Sequence, residues 1–238
     1  MKELITIVIP CYNEKESLPV LIKKIQDLTI DINFIIVDNG STDGSTEYLQ
    51  RIETKLNTNV SLYFIDQNKG YGHGVYTGLK LAKTKFVGWI HGDLQFNFES
   101  LEKSVSFFSN NIVGNRFYFY KGIRTGRSLL DRFFSYFMGV LATMILKNKY
   151  YEINAQPTIF SRELLNYITS PPNNFSFDTY VFWLAVEKGF VVKRELYSFP
   201  PRKYGLSKWD FGLISKIKFS ISLIKYFSLY SISLFIVG

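Results

Sequence analysis

The sequence predicts an α/β fold in which a mostly parallel sheet carries helices on both faces. Short, continuous apolar runs of strand length recur through the first 90 residues. A segment with helically spaced apolar residues follows each of the first three runs. Hydrophobic residues make up 47% of the 238 residues, which is enough for a sizeable core. Alternating strands and helices of this kind are typical of parallel sheets.

The first half of the chain contains four of these predicted strands and three predicted helices. The strands are expected at residues 4–9, 34–37, 60–65 and 86–90, and the helices at 17–28, 46–56 and 75–82. In open parallel sheets, ligands bind beyond the carboxyl ends of the strands. Functional residues are therefore expected in the loops at 10–14, 38–45, 68–74 and 91–95.

The second half is less regular. A basic loop is predicted through Arg116, Lys121, Arg124 and Arg127, followed by a long aromatic helix. That helix is expected at 128–146, with a strand and turn at 152–160, a helix at 178–188 and a strand at 191–197. Residues 1–208 are predicted to form one domain. The tail at 209–238 mixes lysines with apolar residues and is predicted to be a C-terminal amphipathic, interfacial helix. The alternative for the tail is a terminal helix packed on the domain.

Composition and charge restrict the kinds of partner, metal site and membrane association that are expected for this protein. Residues 1–115 carry 11 Lys/Arg and 13 Asp/Glu, whereas residues 116–238 carry 17 and 7, so the second half is expected to meet an anionic partner. The single cysteine, Cys11, excludes an internal disulfide and a cysteine-built zinc site. The longest uncharged apolar stretch has 14 residues, short of the ~18–20 that span a bilayer. An intracellular protein that lies on a membrane is therefore expected.

Polar residues follow two of the predicted strands directly. Asp38 begins the sequence DNGSTDGS, where a carboxylate can accept hydrogen bonds from a base or a ribose. The alternative is a strand–turn–helix corner capped by Ser41 or Thr42. Asp93 and Gln95 offer two oxygen ligands to a cation such as Mg²⁺ or Mn²⁺, which takes its other ligands from a phosphate and water. The alternative is a solvated turn.

Three further features are open to two interpretations. His91 is either a metal ligand, since imidazole also suits manganese, or a structural hydrogen-bonding residue. The glycine-rich loop at 68–74 either admits a ligand or is an ordinary turn. The basic side chains of the second half suit phosphate oxygens or form a solvated face. These are Arg116, Arg124, Arg127, Arg132, Arg202 and Lys208, with Ser207 beside the last.

Six motifs, in order over residues 4–208, resemble those of glycosyltransferase family 2. They are VIPCYNE at 8–14, VDNGSTDGS at 37–45, NKGYGHGVYTGLKLA at 68–82, GDLQ at 92–95, GNR at 114–116 and RKYGLSK at 202–208. Within the family, they are most similar to the dolichol-phosphate mannose synthase-like branch, the polyprenyl-phosphate glycosyltransferases. The resemblance implies a GT-A (Rossmann-like) fold and a nucleotide-diphosphate sugar donor.

The resemblance also implies a role for each matching residue. The nucleoside would be held by Pro10, Tyr12, Glu14, Asp38 and Gly92. Asp93 and Gln95 would bind the cofactor, Mg²⁺ or Mn²⁺. The catalytic residues would be Asp93, Arg116 and Arg202. The acceptor phosphate would be held by Arg132, Ser207 and Lys208. Two positions depart from the family pattern, because His91 and Asn39 stand where the family has aspartates.

The function expected from the resemblance is inverting transfer of a sugar to a polyprenyl phosphate. The enzyme would act at the cytoplasmic face of a membrane, alone or with a membrane partner subunit, and nucleic acid is not an expected partner. A phosphomonoester is mostly dianionic at pH 7 and needs charge neutralisation, whereas a hydroxyl acceptor needs a general base. One alternative is a glycan hydroxyl acceptor with Asp178 or Glu152 as the base. Another is a non-catalytic homologue that binds nucleotide or membrane.

Overall fold

The computed structural model describes residues 4–199, apart from 113, 115, 128 and 147. Seven strands form one sheet in the order β3-β2-β1-β4-β6-β5-β7. They are β1 (Ile5–Cys11), β2 (Asn33–Asn39), β3 (Val60–Ile65), β4 (Phe86–Trp89), β5 (Tyr118–Thr125), β6 (Thr158–Ser161) and β7 (Val191–Ser198). Strand β6 runs antiparallel to both of its neighbours, and the other pairs are parallel. The mostly parallel sheet predicted from the sequence is confirmed.

Helices cover both faces of this sheet, as the sequence predicts. They are α1 (Leu18–Gln26), α2 (Ser45–Ile52), α3 (Tyr71–Leu81), α4 (Glu102–Asn110), α5 (Leu129–Leu146) and α6 (Ser176–Glu187). One core cluster takes its helical side chains from α1, α2 and α4, including Leu21, Leu49 and Phe108. The other takes them from α3, α5 and α6. Apolar burial on each face therefore holds the sheet between two helical layers.

Helix α3 begins at Tyr71, four residues earlier than the sequence predicts. The first turn was not predicted because it contains two glycines, which have a low helix propensity. A Cβ at Gly72 would lie 2.2 Å from the carbonyl oxygen of Pro172, and one at Gly74 would lie 3.1 Å from the side chain of Asn39. The glycines let the helix approach the end of β2 and the segment before α6. Packing contacts here outweigh the low helix propensity of glycine.

The predicted basic loop is wrong in its central part, because residues 118–125 form strand β5. Lys121 and Arg124 suggested exposure, but β5 lies inside the sheet between β6 and β7. The side chain of Lys121 is fully buried, and its ammonium donates to the Ala155 carbonyl at 3.0 Å and to Thr158 Oγ1 at 2.7 Å. Helix α4 was not predicted from the sequence either.

Among the described residues, no helix is both long enough and apolar enough to cross a bilayer. The tail at 209–238, predicted to be amphipathic, lies outside those residues. The division of the chain at residue 208 therefore stays a prediction.

Candidate active site

The carboxyl ends of β1, β2 and β4 meet at one edge of the sheet. In the register of β1 and β2, Cys11 lies opposite Asp38, and Val8 of β1 lies opposite Trp89 of β4. The loops that follow these strands carry the side chains of Tyr12, Glu14 and Asp93. The structure therefore brings together the first, second and fourth loops selected from the sequence.

The loops after β1 and β2 are joined by hydrogen bonds. The backbone N–H of Asn13 donates to Ser41 Oγ at 2.9 Å, and the N–H of Thr42 returns a hydrogen bond to Asn13 Oδ1 at 2.7 Å. The N–H of Glu14 donates to Ser45 Oγ at 3.0 Å. The N-cap of α2 is Gly44 at φ +93°, and the side chain of Asp43 accepts the hydrogen bond of the first helical N–H, that of Ser45, at 3.0 Å. Ser41 therefore fixes the neighbouring loop, and neither Ser41 nor Thr42 is the cap.

Asp38 is buried at the end of β2, with 1% of its surface exposed. Its Oδ1 accepts a hydrogen bond from the Ser41 N–H at 3.2 Å, and its Oδ2 accepts one from the Thr46 hydroxyl. The loop therefore fixes the orientation of this carboxylate. Pro10 and Tyr12 are partly exposed in front of it, and Glu14 Oε2 accepts a hydrogen bond from Ser17 Oγ at 2.8 Å.

Asn39 has a structural role that an aspartate could not fill. Its amide Nδ2 donates to the Gly70 carbonyl at 3.0 Å, which ties the end of β2 to the start of α3. A carboxylate has no hydrogen to donate and would face this carbonyl oxygen unfavourably. This departure from the family pattern therefore has a local physical cause.

The residues from His91 to Gln95 pack against β1. A Cβ at Gly92 would lie 3.2 Å from Cys11 Sγ, so this position favours glycine. Asp93 Oδ1 accepts a hydrogen bond from the Gln95 N–H at 3.2 Å, and Leu94 has a φ of +60°. The loop thus turns tightly between Asp93 and Gln95.

The donor set of this loop fits a hard cation. Within the described chain, no group of three or more His, Cys, Asp or Glu side chains could hold a metal ion. Asp93 and Gln95 nevertheless supply a carboxylate and an amide oxygen. These suit Mg²⁺ or Mn²⁺ when most of the other ligands come from a diphosphate and water.

A polar cluster joins the loop to α3 and α6, and it is made of His91 and Tyr71, which are partly exposed, and Asp178, which is buried. The Tyr71 hydroxyl is 2.8 Å from His91 Nε2 and donates to Asp178 Oδ1 at 3.2 Å. Asp178 is 2% exposed, so burial raises the pKa of its carboxyl group, against the effect of Lys121, His91 and hydrogen bonds from Tyr71 and Trp89. The backbone N–H of His91 donates to Gln156 Oε1 at 2.7 Å. His91 is therefore held by two contacts, one from its ring Nε2 to Tyr71 and one from its backbone to Gln156.

An arginine pair, Arg124 and Arg127, lies at the carboxyl end of β5. Arg124 Nε is 2.6 Å from Glu152 Oε2, and Arg127 Nη1 is 3.6 Å from Glu152 Oε1. Both guanidinium groups donate to Ser135 Oγ, at 3.2 and 2.6 Å. Both arginines belong to the basic set predicted from the sequence, whereas their shared contact with Ser135 was not predicted.

Arg116 does not lie beside this arginine pair. Lys121 of β5 and Trp89 of β4 both pair with Thr158, so they lie at one level of the sheet. Arg116 precedes Lys121 by five residues, about 16 Å of extended chain, and is exposed at the opposite edge. The structure therefore does not bring Arg116 to Asp93. Residues 122–124 repeat its G-x-R pattern and lie towards the carboxyl end of β5, at the same edge of the sheet as Asp93. The prediction of a loop in this segment hid that signal.

The remaining predicted phosphate-binding residues are divided between the surface and the undescribed part of the chain. Arg132 is exposed on α5. Arg202, Ser207 and Lys208 lie outside the described residues, which end at Phe199. The Phe199 N–H donates to the Thr125 carbonyl at 3.1 Å, next to Arg124.

Comparison with known proteins identifies similar chains. An undecaprenyl-phosphate 4-deoxy-4-formamido-L-arabinose transferase from Yersinia enterocolitica is 31% identical over 106 residues, which cover 43% of this chain and 32% of the relative. The match thus spans about a third of that relative's length. The putative teichuronic acid biosynthesis glycosyltransferase TuaG from Bacillus subtilis is 24% identical over 192 residues, 80% of this chain and 75% of that one.

A solved structure has the same fold. Glucosyl-3-phosphoglycerate synthase from Mycobacterium tuberculosis, in complex with Mn²⁺, UDP and glucosyl-3-phosphoglycerate, superposes with a TM-score of 0.64 at 18% identity. The superposition covers 94% of this chain and 80% of that one. The family model described as "Glycosyl transferase family 2" matches residues 6–169, which span β1 to β6 and include each described loop of the site. The chain therefore belongs to glycosyltransferase family 2.

Proposed function

We propose that this protein transfers a sugar from a nucleotide-diphosphate donor to a polyprenyl phosphate at a membrane surface. The observation that carries the proposal is the arginine pair, which lies at the same edge of the sheet as Asp93 and beside a fixed hydroxyl, Ser135. The guanidinium group of an arginine can donate two parallel hydrogen bonds to phosphate oxygens, and its charge neutralises theirs. A phosphate acceptor needs that neutralisation more than it needs a base.

The state of the two candidate bases argues against a hydroxyl acceptor. Asp178 is buried and accepts the Tyr71 hydrogen bond, so an incoming sugar hydroxyl would have to displace Tyr71 to reach it. Glu152 is paired with Arg124 and Arg127. These two guanidinium groups occupy the carboxylate oxygens that would have to take the proton. Neither carboxylate is a free general base in this arrangement.

An apolar surface suited to the lipid chain begins two residues after Arg127. Helix α5 exposes large apolar side chains at helical spacing, from Leu129, which is 80% exposed, to Met144, which is 68% exposed. Those between them are Phe133, Tyr136, Phe137 and Val140. A phosphate held by the arginine pair would leave its polyprenyl chain next to this helix face. The relative from Yersinia is named for an undecaprenyl-phosphate substrate, which supports this acceptor class.

The reaction follows from these roles. An acceptor phosphate oxygen forms a bond to the anomeric carbon, the bond to the donor diphosphate breaks, and the nucleoside diphosphate leaves with its electron pair. Attack from the opposite face inverts the anomeric centre. Arg124 and Arg127 would position the acceptor, and Pro10, Tyr12, Glu14, Asp38 and Gly92 would hold the nucleoside. A bound divalent cation, held by Asp93 and Gln95, would neutralise the diphosphate.

A transfer assay tests this function. Purified protein in detergent is given radiolabelled UDP- and GDP-sugars with Mn²⁺ and undecaprenyl or dolichyl phosphate, and label in the organic phase is counted. We expect lipid-linked sugar from the intact protein and none from Asp93→Ala. Label that passes only to added oligosaccharide would contradict the lipid acceptor. The absence of transfer to either acceptor with every donor would support the non-catalytic alternative.

Two variants test which of the two G-x-R segments, 114–116 or 122–124, binds the acceptor phosphate. Arg124→Gln removes a charge-assisted hydrogen bond of ~1.5–3 kcal/mol, so we expect the KM for the lipid phosphate to rise roughly 10- to 100-fold. Arg116→Gln removes an arginine from the opposite edge, so the KM should stay within about twofold. The reverse result would restore Arg116 as the phosphate-binding residue.

A further inference from the structure

We propose that Glu152 competes with the acceptor phosphate for the arginine pair, and that its carboxylate leaves the pair when the acceptor binds. The proposal rests on the proposed function, since it concerns the phosphate that Arg124 and Arg127 would hold. It makes Glu152 a positioning residue, which acts on the acceptor through the two arginines. Its carboxylate then sets how tightly the site holds both the acceptor and the lipid-linked product.

The carboxylate of Glu152 makes contacts of the kind that a phosphate group would need. Its Oε2 is 2.6 Å from Arg124 Nε, and its Oε1 is 3.6 Å from Arg127 Nη1. The two oxygens thus face different guanidinium groups, and Ser135 Oγ accepts a hydrogen bond from each of the same groups. Arg124 Nε carries a single hydrogen, so a phosphate oxygen can accept it only after Glu152 has released it.

The backbone on both sides of Glu152 is held in place, whereas its carboxylate borders solvent. Arg194 Nη2 donates to the Tyr151 carbonyl at 2.9 Å, and the guanidinium group lies 4.2 Å from the centre of the Tyr151 ring. On the other side, the Ala155 N–H donates to the Glu152 carbonyl at 3.0 Å. The Glu152 side chain is 15% exposed. Rotation about its side-chain bonds can therefore move the carboxylate into water while the backbone stays fixed.

The backbone conformation of Glu152 also distinguishes this residue. Its φ is +48°, a left-handed value that non-glycine residues seldom adopt. Among the described residues, the other non-glycine residues with a positive φ are Asn13 and Leu94, and both lie in loops of the candidate site. Such conformations occur preferentially at functional sites, where the surrounding structure maintains them. The fold thus holds Glu152 in a strained conformation that places its carboxylate on the arginine pair.

A lipid phosphomonoester is a ligand that can displace this carboxylate. It carries nearly two negative charges at pH 7, whereas an ionised carboxylate carries one, and attraction to the guanidinium groups rises with charge. The lipid chain adds contacts with the exposed apolar face of α5. After transfer the phosphate is a diester with a single charge, so its attraction to the arginines is no greater than that of Glu152. The return of Glu152 to the arginine pair would then favour release of the product.

Binding of farnesyl phosphate, a short-chain polyprenyl phosphomonoester, tests this competition without turnover. Isothermal titration calorimetry on the full chain in detergent, with Mn²⁺ and UDP or GDP present, gives the Kd. We expect Glu152→Gln to bind farnesyl phosphate about tenfold more tightly than the intact protein, a difference of about 1.4 kcal/mol. Glu152→Asp keeps the charge on a shorter side chain that draws back from Arg124, so it should also bind more tightly. Glu195→Gln is the matched control, because the ion pair of Glu195 is with Lys193 on β7, and its Kd should be that of the intact protein.

Steady-state kinetics add a readout that a merely structural role would not give. In Glu152→Gln the KM for undecaprenyl phosphate should fall about tenfold without a rise in kcat, because acceptor and product are both held more tightly. An equal or higher Kd for farnesyl phosphate in Glu152→Gln would overturn the proposal and leave the proposed function standing. Tighter binding in Glu152→Gln but not in Glu152→Asp would also overturn it, since the nearby charge rather than the contact with Arg124 would then set the affinity. A failure of the intact protein and both Glu152 variants to bind farnesyl phosphate would overturn both.

Discussion

The buried ammonium of Lys121 should make the stability of the protein depend on pH in a defined direction. Burial lowers the pKa of Lys121 from 10.5 to about 7, and Asp178 opposes this shift only in part. Between these two pKa values the unfolded chain holds a proton that the folded chain has released. The free energy of unfolding therefore rises with pH across this window, because the proton-binding unfolded state loses its advantage.

The size of this effect follows from the two pKa values. Each pH unit inside the window contributes up to about 1.4 kcal/mol, so the gain from pH 7 to pH 9 is roughly 2 kcal/mol. Lys121→Met removes the titrating group and keeps most of the side-chain volume. Cys11 is buried with its thiol pKa raised, so its titration in the unfolded chain lowers stability as pH rises. That contribution is common to both proteins and cancels in their difference.

The assay is urea denaturation, followed by tryptophan fluorescence at pH 7, 8 and 9, for the original and the Lys121→Met proteins. The difference in unfolding free energy between the two proteins should change by roughly 2 kcal/mol over this range, in favour of the lysine protein at high pH. Parallel pH profiles for the two proteins would contradict a lowered pKa for Lys121. They would mean that Lys121 keeps its ordinary pKa, and that water or Asp178 compensates fully for its burial.

Two further substitutions test the close packing around the site. Gly122→Ala would place a Cβ 1.9 Å from the Gln156 carbonyl oxygen, so we expect a loss of ~1–3 kcal/mol in thermal or urea unfolding, and an unchanged melting temperature would contradict the contact. Asn39→Asp restores the family's residue but loses the hydrogen bond to Gly70, so we expect a loss of ~1–3 kcal/mol at pH 7. A gain in stability there would show that the amide is not the donor.

The first half of the fold could be predicted because its strands are buried on both faces and read as continuous apolar runs. The predicted strand at residues 60–65 coincides with β3, and the other three differ from β1, β2 and β4 by only a few residues at their ends. The rule that ligands bind at the carboxyl ends of parallel strands then selected loops that lie together at one edge of the sheet. In this part of the chain, the apolar runs of the sequence and the order of strands and helices in the fold therefore agree.

Strand β5 could not be predicted in the same way, because its pattern includes charged residues. Lys121 is buried only because β6 supplies Thr158 and the preceding segment supplies the Ala155 carbonyl, and both are distant in sequence. Arg124 and Arg127 meet Ser135 and Glu152 through contacts that no local window contains. The arginine pair was therefore visible only as a basic stretch.

The role of His91 depends on residues far from it in the sequence. Tyr71 precedes it by 20 positions and Asp178 follows it by 87. From the sequence, this histidine was predicted to be either a metal ligand or a structural hydrogen-bonding residue, and in the structure its Nε2 lies 2.8 Å from the Tyr71 hydroxyl oxygen. The glycine-rich loop at 68–74, which was predicted either to admit a ligand or to be an ordinary turn, contains the start of α3 and supplies Tyr71, the aromatic partner of His91.

The most direct test of the donor site is a thermal-shift panel with UDP, GDP, CDP and dTDP, each with and without Mn²⁺. A ligand present at 100 times its Kd, and bound only to the folded state, stabilises the protein by about 2.7 kcal/mol. We expect a Mn²⁺-dependent shift with at least one nucleotide, and the loss of that shift in Asp93→Ala. No shift with any nucleotide, or an equal shift in Asp93→Ala, would contradict a nucleotide-diphosphate site at the carboxyl edge of the sheet.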